Sequence, residues 1–271
     1  MDETLDIRNE ILRKIDRKRV TAAIFVDEEG IVSGIASAEE EASKLGISVL
    51  RVVPEGGEVR EGDEVIRFSG TPQQIVLAEE ILIGLLAKPS GIATRANKFV
   101  KATKGKPKVI CGAWKKMPFS IKEMIRKAVI TGGASSRIES HPFAYLDKNY
   151  VELLGGIKKS LEAVAYLDNV SKVVQVKGRY KDIASEACEA AEAGAQIVFI
   201  DSGKPDDATR IVEKLREMGL RDKVKIAFGG GVNLEMIGEL QDLDIDMLDI
   251  GRHIVDAPLL DMRLEIVDIK D

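Results

Sequence analysis

The sequence predicts an α/β protein in two parts. An N-terminal α+β domain covers residues 1–88, completed by residues 260–271. An α/β barrel of the TIM-like kind covers residues 89–259. Three observations predict this. From residue 108 onward, short apolar runs alternate with helical stretches and stop sharply, which is the order of repeated parallel strand–helix units. Before residue 70 the apolar runs are short, alternating and separated by turn residues, so that part is rich in sheet. Composition agrees, with 45% hydrophobic but only 4% aromatic residues among 271, many of them Val, Ile and Ala.

Residues 2–19 form a charged helix with Leu5, Ile11, Leu12 and Ile15 on one stripe. Residues 20–26 are an apolar strand, Asp27-Glu28-Glu29-Gly30 a turn, and 31–36 a second strand, which together read as a hairpin. Ser37 is placed to cap a helix over 38–45. Strands at 48–53 and 65–69 flank a Gly56-Gly57 turn and the alternating piece 58–66. A helix begins at Thr71 and runs to about Ala87, where Pro89 is expected to interrupt it before a second helix from Thr94 to Ala102.

The barrel units follow. Strands are expected at 108–112, 144–146, 172–176, 197–201, 224–228 and 247–250. Helices are expected at 121–131, 157–169, 183–193, 206–218 and 234–240. Such an array closes, or nearly closes, into a barrel. The last segment, 262–269, alternates and is expected to return to the first domain's sheet.

A formal charge of −5 and few aromatics argue against nucleic acid as a partner. No run of about 18 apolar residues appears, so no membrane span is expected. The opening Met1-Asp2-Glu3-Thr4-Leu5 lacks the order of a signal peptide, and Cys111 and Cys188 read as buried free thiols. The expectation is a cytoplasmic protein.

Against this acidic background, the stretch from Lys88 to Lys127 is crowded with Lys and Arg and holds a single acid, Glu123. Clustered cations concentrate an anionic ligand. The plainer reading, a solvated face, suits most of these lysines. Chemistry is expected where cations meet strand ends, because barrel sites lie at the carboxyl ends of strands. Those ends carry Gly112 to Lys116, Gly132 to Arg137, Asp147 and Lys148, Gln175 and Lys177, Asp201 and Ser202, Gly229 to Asn233, and Gly251 to His253. Gly229-Gly230-Gly231 ahead of a helix start would cradle a phosphate through backbone N–H groups, with Gly251 closing the cradle; the plainer reading is a tight turn. Asp201 could hold Mg2+ or a sugar hydroxyl, or merely cap a helix. His141 and His253 have no metal-binding spacing and read as structural.

Several stretches resemble the quinolinate phosphoribosyltransferase family, the carboxylating nicotinate-nucleotide pyrophosphorylases. They are Ser90-Gly91-Ile92-Ala93-Thr94, Ala128 to Gly133, Glu192 to Asp201, Gly229 to Val232, Ile245 to Gly251 and Leu260 to Leu264. The resemblance is collinear from about Gly56 to Ile266. It implies an α+β N-terminal domain joined to an incomplete α/β barrel, in a homodimer that places each N-terminal domain over the partner's barrel mouth. It also implies transfer of phosphoribosyl from phosphoribosyl pyrophosphate to quinolinate with Mg2+, releasing pyrophosphate and CO2.

The sequence departs from the family where the acceptor is chosen. Where the family usually has Arg, in the helix before Ser-Gly-Ile-Ala-Thr, this chain has Glu80. The family's Asp-Thr-Arg-Lys-Thr is Gly112-Ala113-Trp114-Lys115-Lys116, so Arg becomes Trp114 while Lys115 is kept. Its Asn-His-Arg is Ser135-Ser136-Arg137. Its Lys-Asp-Asn-His is Asp147-Lys148-Asn149-Tyr150, and an acid on the next strand is Gln175. Asp201, Gly230, Gly231 and Gly251 persist. Phosphate-side features are kept and the carboxylate clamp is largely lost, for which a bidentate Arg is the usual tool.

The resemblance implies that Gly230, Gly231 and Gly251 hold the 5-phosphate, that Lys115 and Arg137 meet pyrophosphate or the acceptor, and that Asp201 binds a ribose hydroxyl or Mg2+. Trp114 would stack the acceptor ring. Lys116 and Lys148 are candidate replacements for the clamp, and Glu80 would come from a neighbouring subunit. The expected function is phosphoribosyl transfer to an aromatic nitrogen acceptor other than quinolinate. The alternatives are the ordinary quinolinate enzyme of NAD biosynthesis and a non-catalytic nucleotide- or phosphosugar-binding relative.

Overall fold

The computed structural model describes residues 6–271, so Leu5 of the expected first stripe lies outside the described residues. The chain divides into two compact units. One takes the described chain up to Asn97 together with Ser120–Gly133 and Ala257–Asp271; the other takes Lys98–Phe119 and Ala134–Asp256.

In chain order the elements are α1 (Ile7–Leu12), β1 (Arg19–Val26), β2 (Gly30–Ile31), α2 (Ile35–Lys44), β3 (Ser48–Val52), β4 (Glu58–Val59), β5 (Glu64–Gly70) and α3 (Pro72–Ala102). Then come β6 (Lys108–Ile110), α4 (Lys122–Thr131), β7 (Phe143–Leu146), α5 (Lys148–Leu153), α6 (Ile157–Ala163), β8 (Ser171–Val176) and α7 (Ile183–Glu192). The chain ends with β9 (Ile197–Asp201), α8 (Pro205–Glu217), β10 (Lys225–Gly229), α9 (Ile237–Gln241), β11 (Met247–Asp249), α10 (Arg252–Val255) and β12 (Met262–Lys270).

The first unit is built on an antiparallel sheet in the order β12-β1-β5-β3. Every second residue of β1 (Val20, Ala22, Ile24 and Val26) is buried, with Ile66 and Phe68 of β5 in the same core. The helices add Ile35, Ala38 and Ala42 from α2 and Ile75, Ala78, Leu82 and Leu86 from α3, at the spacing of one helical face. A large apolar side chain buried there contributes about 1.5–3 kcal/mol. The terminal strand β12 pairs antiparallel with β1 along its whole length.

Three local expectations fail here. The hairpin does not form. Both edges of β1 are taken, by β12 and β5, and the two-residue β2 pairs with β4 instead. Ser37 does not cap the next helix but lies within α2, whose N-cap is Gly34. The capping acceptor comes from far along the chain: Glu55 accepts from the N–H of Gly34 and of Ile35, both at 3.0 Å to Oε2. Nor does Pro89 interrupt the helix, since α3 runs unbroken for 31 residues. Proline cannot donate to the carbonyl four residues before it, here that of Leu85. Gly34 packs on that carbonyl so closely that a Cβ would lie 2.1 Å from the oxygen. A left-handed φ of +97° adds a second reason for glycine at this position.

The neighbouring Ser90-Gly91-Ile92-Ala93-Thr94 stretch is structural in this unit. The hydroxyl of Ser90 accepts from Ser33 N–H at 2.9 Å, and that of Thr94 accepts from Ile31 N–H at 2.8 Å. A Cβ on Gly91 would lie 1.9 Å from the carbonyl oxygen of Pro258.

The second unit is a parallel sheet in the order β6-β11-β10-β9-β8-β7. On its other side β6 forms a parallel bridge with Ser135, through Cys111 N–H to Ser135 O at 2.8 Å and Ser135 N–H to Val109 O at 3.0 Å. The ladder thus curls as Ser135-β6-β11-β10-β9-β8-β7. Among the described residues no ladder joins the Ser135 segment to β7, so the barrel is incomplete rather than closed. Its interior is filled by Ile110, Ile138, Val173, Ile197, Phe199, Ala227 and Met247. Outside, α8 turns Ala208, Ile211, Val212 and Leu215 inward, one helical stripe. The helix expected over 157–169 is present as α6 but stops at Ala163, and the short α5, not expected, precedes it across Gly155 and Gly156 at φ +82° and +122°. Asp147 caps α5 by accepting from the N–H groups of Asn149 and Tyr150.

We expect Gly91→Ala to lower stability by about 3 kcal/mol, since the added Cβ meets rigid backbone. Urea unfolding monitored by circular dichroism checks this, and an unchanged midpoint would refute the close approach of Gly91 to Pro258.

Candidate functional site

Period-two alternation in the strands of the incomplete barrel decides which polar groups reach its mouth. Val173 lies in the core, so Gln175 and Lys177 share its side; likewise Asp201 follows Ile197 and Phe199, and Asp249 follows Met247. The strand register sets Gly229 of β10 level with Asp201 of β9.

Asp201 is the centre of one cluster. Its Oδ2 accepts from Gln175 Nε2 at 2.6 Å and from Lys177 Nζ at 2.8 Å, and Lys177 also reaches its backbone carbonyl at 3.1 Å. Gln175 in turn accepts from the backbone N–H of Lys148 at 2.8 Å. Three successive strand ends are tied together this way. By sequence alone Lys177 stands at a strand end with no role. Its signal was a cation two residues beyond Gln175 on the same face.

Asp249 organises the second cluster. Its Oδ1 accepts from Gly112 N–H at 3.0 Å, which holds the short 3-10 turn Ala113–Lys116 against β11. Burial pushes the Asp249 carboxyl above its ordinary range and the Asp201 charge adds to this, while the Gly112 hydrogen bond and the Lys115 and Lys116 charges oppose it. The phenol of Tyr145 is also pushed up, by burial first and then by Asp249, Asp201 and Asp147. Its ring meets Phe199 edge to face at 5.7 Å, and Lys115 Nζ lies 5.7 Å from its centroid. One Tyr in an apolar strand carries no signal of its own, so sequence does not single out Tyr145.

Trp114 is half-buried, with its indole N–H donated to the carbonyl of Ser136 at 2.8 Å. Lys115 and Lys116 are exposed on the same turn. Arg137 is exposed over the ring of Phe143, 5.1 Å from its centroid. Cys111 is buried under this turn. Burial pushes its thiol up to about 12.

Gly230 and Gly231 both adopt φ +105°, open to glycine and strained for other residues. A Cβ on Gly230 would lie 2.5 Å from the N–H nitrogen of Gly203, whereas one on Gly231 would meet nothing within 4 Å. The first glycine thus serves loop-to-loop packing, and the second lines open space. The helix expected from residue 234 starts only at Ile237 and has five residues. A phosphate at this loop would therefore meet backbone N–H groups rather than a helix end. Gly251 caps the four-residue α10.

Glu80 belongs to α3 of the first unit. Arg8 grips it from Nη2 at 2.8 and 2.7 Å to its two carboxylate oxygens. A cavity of about 540 Å3 lies at the amino-terminal ends of the barrel strands, lined by Glu139, His141, Ser171, Arg221, Lys225 and Asp244. Glu139 there is tied to Lys225 at 2.8 Å and Asp244 to Arg221 at 3.0 Å. We place the site at the opposite, carboxyl-terminal mouth. Among the described residues no group of three or more His, Cys, Asp or Glu side chains could hold a metal ion. The bonds of the Asp201 carboxylate all fall on Oδ2, leaving Oδ1 as a single donor for a cation carried by a phosphate ligand. No helix among the described residues is long and apolar enough to cross a membrane.

Comparison with known proteins agrees with this architecture. The family model of the quinolinate phosphoribosyl transferase N-terminal domain matches residues 6–90, and that of the C-terminal domain matches residues 92–265. A probable carboxylating nicotinate-nucleotide pyrophosphorylase of Methanothermobacter thermautotrophicus is 30% identical over 98% of this chain and 94% of its own. The human carboxylating nicotinate-nucleotide pyrophosphorylase is 26% identical over 90% of this chain and 82% of its own. The crystal structure of nicotinate-nucleotide pyrophosphorylase from Pyrococcus furiosus superposes with a TM-score of 0.82 at 24% identity, covering 97% of this chain and 73% of that one, and carries the likeness of fold.

Two outcomes follow from the buried groups. Cys111 should resist iodoacetamide in the native protein at about pH 8 and react after denaturation, because its thiolate is disfavoured until far higher pH. Peptide mapping reads this, and rapid native labelling would contradict the burial. Asp249→Asn should match wild-type stability below about pH 3, under the ordinary carboxylate range, where the carboxyl is largely protonated in both the folded and unfolded chain. It should exceed it increasingly towards about pH 7, because a raised acid loses stability as it ionises. A difference of about 3 °C per kcal/mol is expected by calorimetry. A gap that narrows with rising pH would contradict the raised value.

Proposed function

The chain belongs to the quinolinate phosphoribosyl transferase family, and on that premise we propose that it transfers phosphoribosyl from phosphoribosyl pyrophosphate to a ring nitrogen of an aromatic acceptor other than quinolinate. A phosphorylated small-molecule substrate is what a member of this family takes. The observation that supports the changed acceptor is the chemistry at the two positions where the resemblance implies arginine.

At the first, Glu80 carries the opposite charge, and the Arg8 that grips it is also shared with Asp6 at 3.3 Å. One arginine between two carboxylates leaves a net negative group there. Supplied to the mouth by a neighbouring subunit, that group would repel a dianionic ring rather than clamp it. At the second, Trp114 offers a flat apolar face, oriented by the hydrogen bond of its N–H to Ser136. That pair suits a less acidic or larger ring. Lys116 and Lys148 remain exposed on the same mouth and could take a single acceptor carboxylate.

In this reading the 5-phosphate rests on backbone N–H groups at Gly230, Gly231 and Gly251, and the pyrophosphate lies against Lys115 and Arg137. As the bond from C1 of the ribose to the pyrophosphate oxygen breaks, positive charge grows on the sugar. Asp201, fixed by Gln175 and Lys177, is a preorganised carboxylate beside that charge. The lone pair of the acceptor nitrogen then forms the new bond to C1, and pyrophosphate leaves with the electrons of the broken bond. Asp201, through its free Oδ1, would help hold Mg2+, which would supply positive charge to offset the leaving pyrophosphate.

A second reading is the ordinary quinolinate reaction with decarboxylation. It is favoured by the names of the relatives, which are carboxylating nicotinate-nucleotide pyrophosphorylases.

Isothermal titration of phosphoribosyl pyrophosphate with Mg2+, followed by quinolinate, separates the readings. The first ligand should bind and the second should not, and a screen of pyridine and other nitrogen heterocycles should then release pyrophosphate. Because Trp114 is the sole tryptophan, its emission should change when the true acceptor binds. Turnover of quinolinate at a rate typical of the family would overturn the changed acceptor. Absence of binding by phosphoribosyl pyrophosphate would overturn both transferase readings.

A further inference from the structure

The loop between β8 and α7 is held by a buried carboxylate. Glu186 lies in the first turn of α7 and is 2% exposed. Its partners are three backbone amides of one loop. Oε2 accepts from Lys177 N–H at 3.0 Å and Gly178 N–H at 2.7 Å, and Oε1 accepts from Tyr180 N–H at 2.9 Å. A carboxylate that receives several backbone N–H groups is a strong and geometrically fixed anchor. This loop needs one. It carries Lys177, Arg179 and Lys181 at close spacing, so its charges repel, and Gly178 sits at φ +66°.

A second tie joins the loop to α5, where the hydroxyl of Tyr180 donates to Glu152 Oε2 at 2.5 Å. A small cavity beside the loop is lined by Lys148, Gln175, Lys177, Arg179, Tyr180 and Glu186. The outcome is the placement of one ammonium. The backbone of Lys177 is pinned by Glu186 while its Nζ sits 2.8 Å from Asp201 Oδ2.

We propose that Glu186 is a positioning residue of the barrel mouth: by gripping the 177–180 loop it seats the Lys177 ammonium on Asp201, and so sets the charge that an anionic sugar phosphate meets there. The ligand named here rests on the phosphoribosyl-transfer reading, whereas the positioning itself does not. Without the anchor Asp201 keeps its carboxylate but loses a fixed cation, and the mouth becomes more repulsive to pyrophosphate. Glutamine cannot substitute. It is the same size but offers one oxygen to three N–H groups and turns an NH2 towards donors.

The test uses Glu186→Gln, Lys177→Met and the double variant. Acylation of lysines by an N-hydroxysuccinimide ester, mapped by mass spectrometry, should modify Lys177 several-fold faster in Glu186→Gln than in wild type, while the exposed Lys158 reacts unchanged. An unchanged Lys177 rate overturns the proposal. Titration with phosphoribosyl pyrophosphate should then show Kd raised by the same factor in both single variants, with no further rise in the double variant. Additive losses would mean that Glu186 acts by another route, and would also overturn it. If wild type fails to bind phosphoribosyl pyrophosphate, the transfer reading falls, and the acylation rates still decide the role of Glu186.

Discussion

Two carboxylates at the barrel mouth, Asp201 and Asp249, set the demand that the surrounding loops satisfy. A carboxylate taken from water must find donors, and each finds them in a different way. Asp249 takes a backbone N–H from Gly112, which docks the turn bearing Trp114, Lys115 and Lys116. Asp201 takes a side-chain amide and an ammonium, which dock the ends of β7 and β8. The cations of the mouth therefore do not stand alone on loops. Lys177 and the turn bearing Lys115 and Lys116 are placed by the acids beneath them, so removing either acid would disturb the position of a base.

The same reasoning separates the glycines of the mouth by purpose. Gly230 is glycine because the Gly203 backbone leaves no room for a Cβ, and its substitution would move two loops together. Gly231 shares its left-handed φ but faces open space, which is what a backbone cradle for a phosphate requires. In the first unit, close packing accounts for the Ser-Gly-Ile-Ala-Thr stretch. Its hydroxyls bond backbone groups of residues 31 and 33, and Gly91 admits the carbonyl of Pro258. A motif that marks a family need not touch its ligand; this one holds a strand and a helix together.

Of the fold, the sequence carried what depends on local pattern. Short apolar runs marked β1, β8 and β9, alternation marked β12, and the helical stretches between the runs marked α7 and α8, because burial leaves its pattern in the chain wherever the partner lies. The stretches where that reading failed have a common cause. The expected hairpin at residues 20–36 needed a free edge on β1, and the two edges went to strands some 40 and 240 residues away. The cap of α2 came from Glu55 rather than Ser37, and the carbonyl orphaned by Pro89 was covered by Gly34. Each depended on a partner distant in the chain.

For the site, the residue types at strand ends were legible, because a parallel barrel sends the end of every strand to one face. Lys115, Gln175, Asp201 and the glycines could be placed at strand ends from order, whereas the lost arginines at Glu80 and Trp114 could be named only through the resemblance to the family. Which of them touch was decided by register and loop path. These set Lys177 on Asp201, Gly112 on Asp249 and Glu186 under the 177–180 loop. The sequence by itself determined family, fold class and the inventory of charges. Only the tertiary structure decided how those charges are paired, because pairing depends on a few ångströms between strand ends that composition and periodicity do not encode.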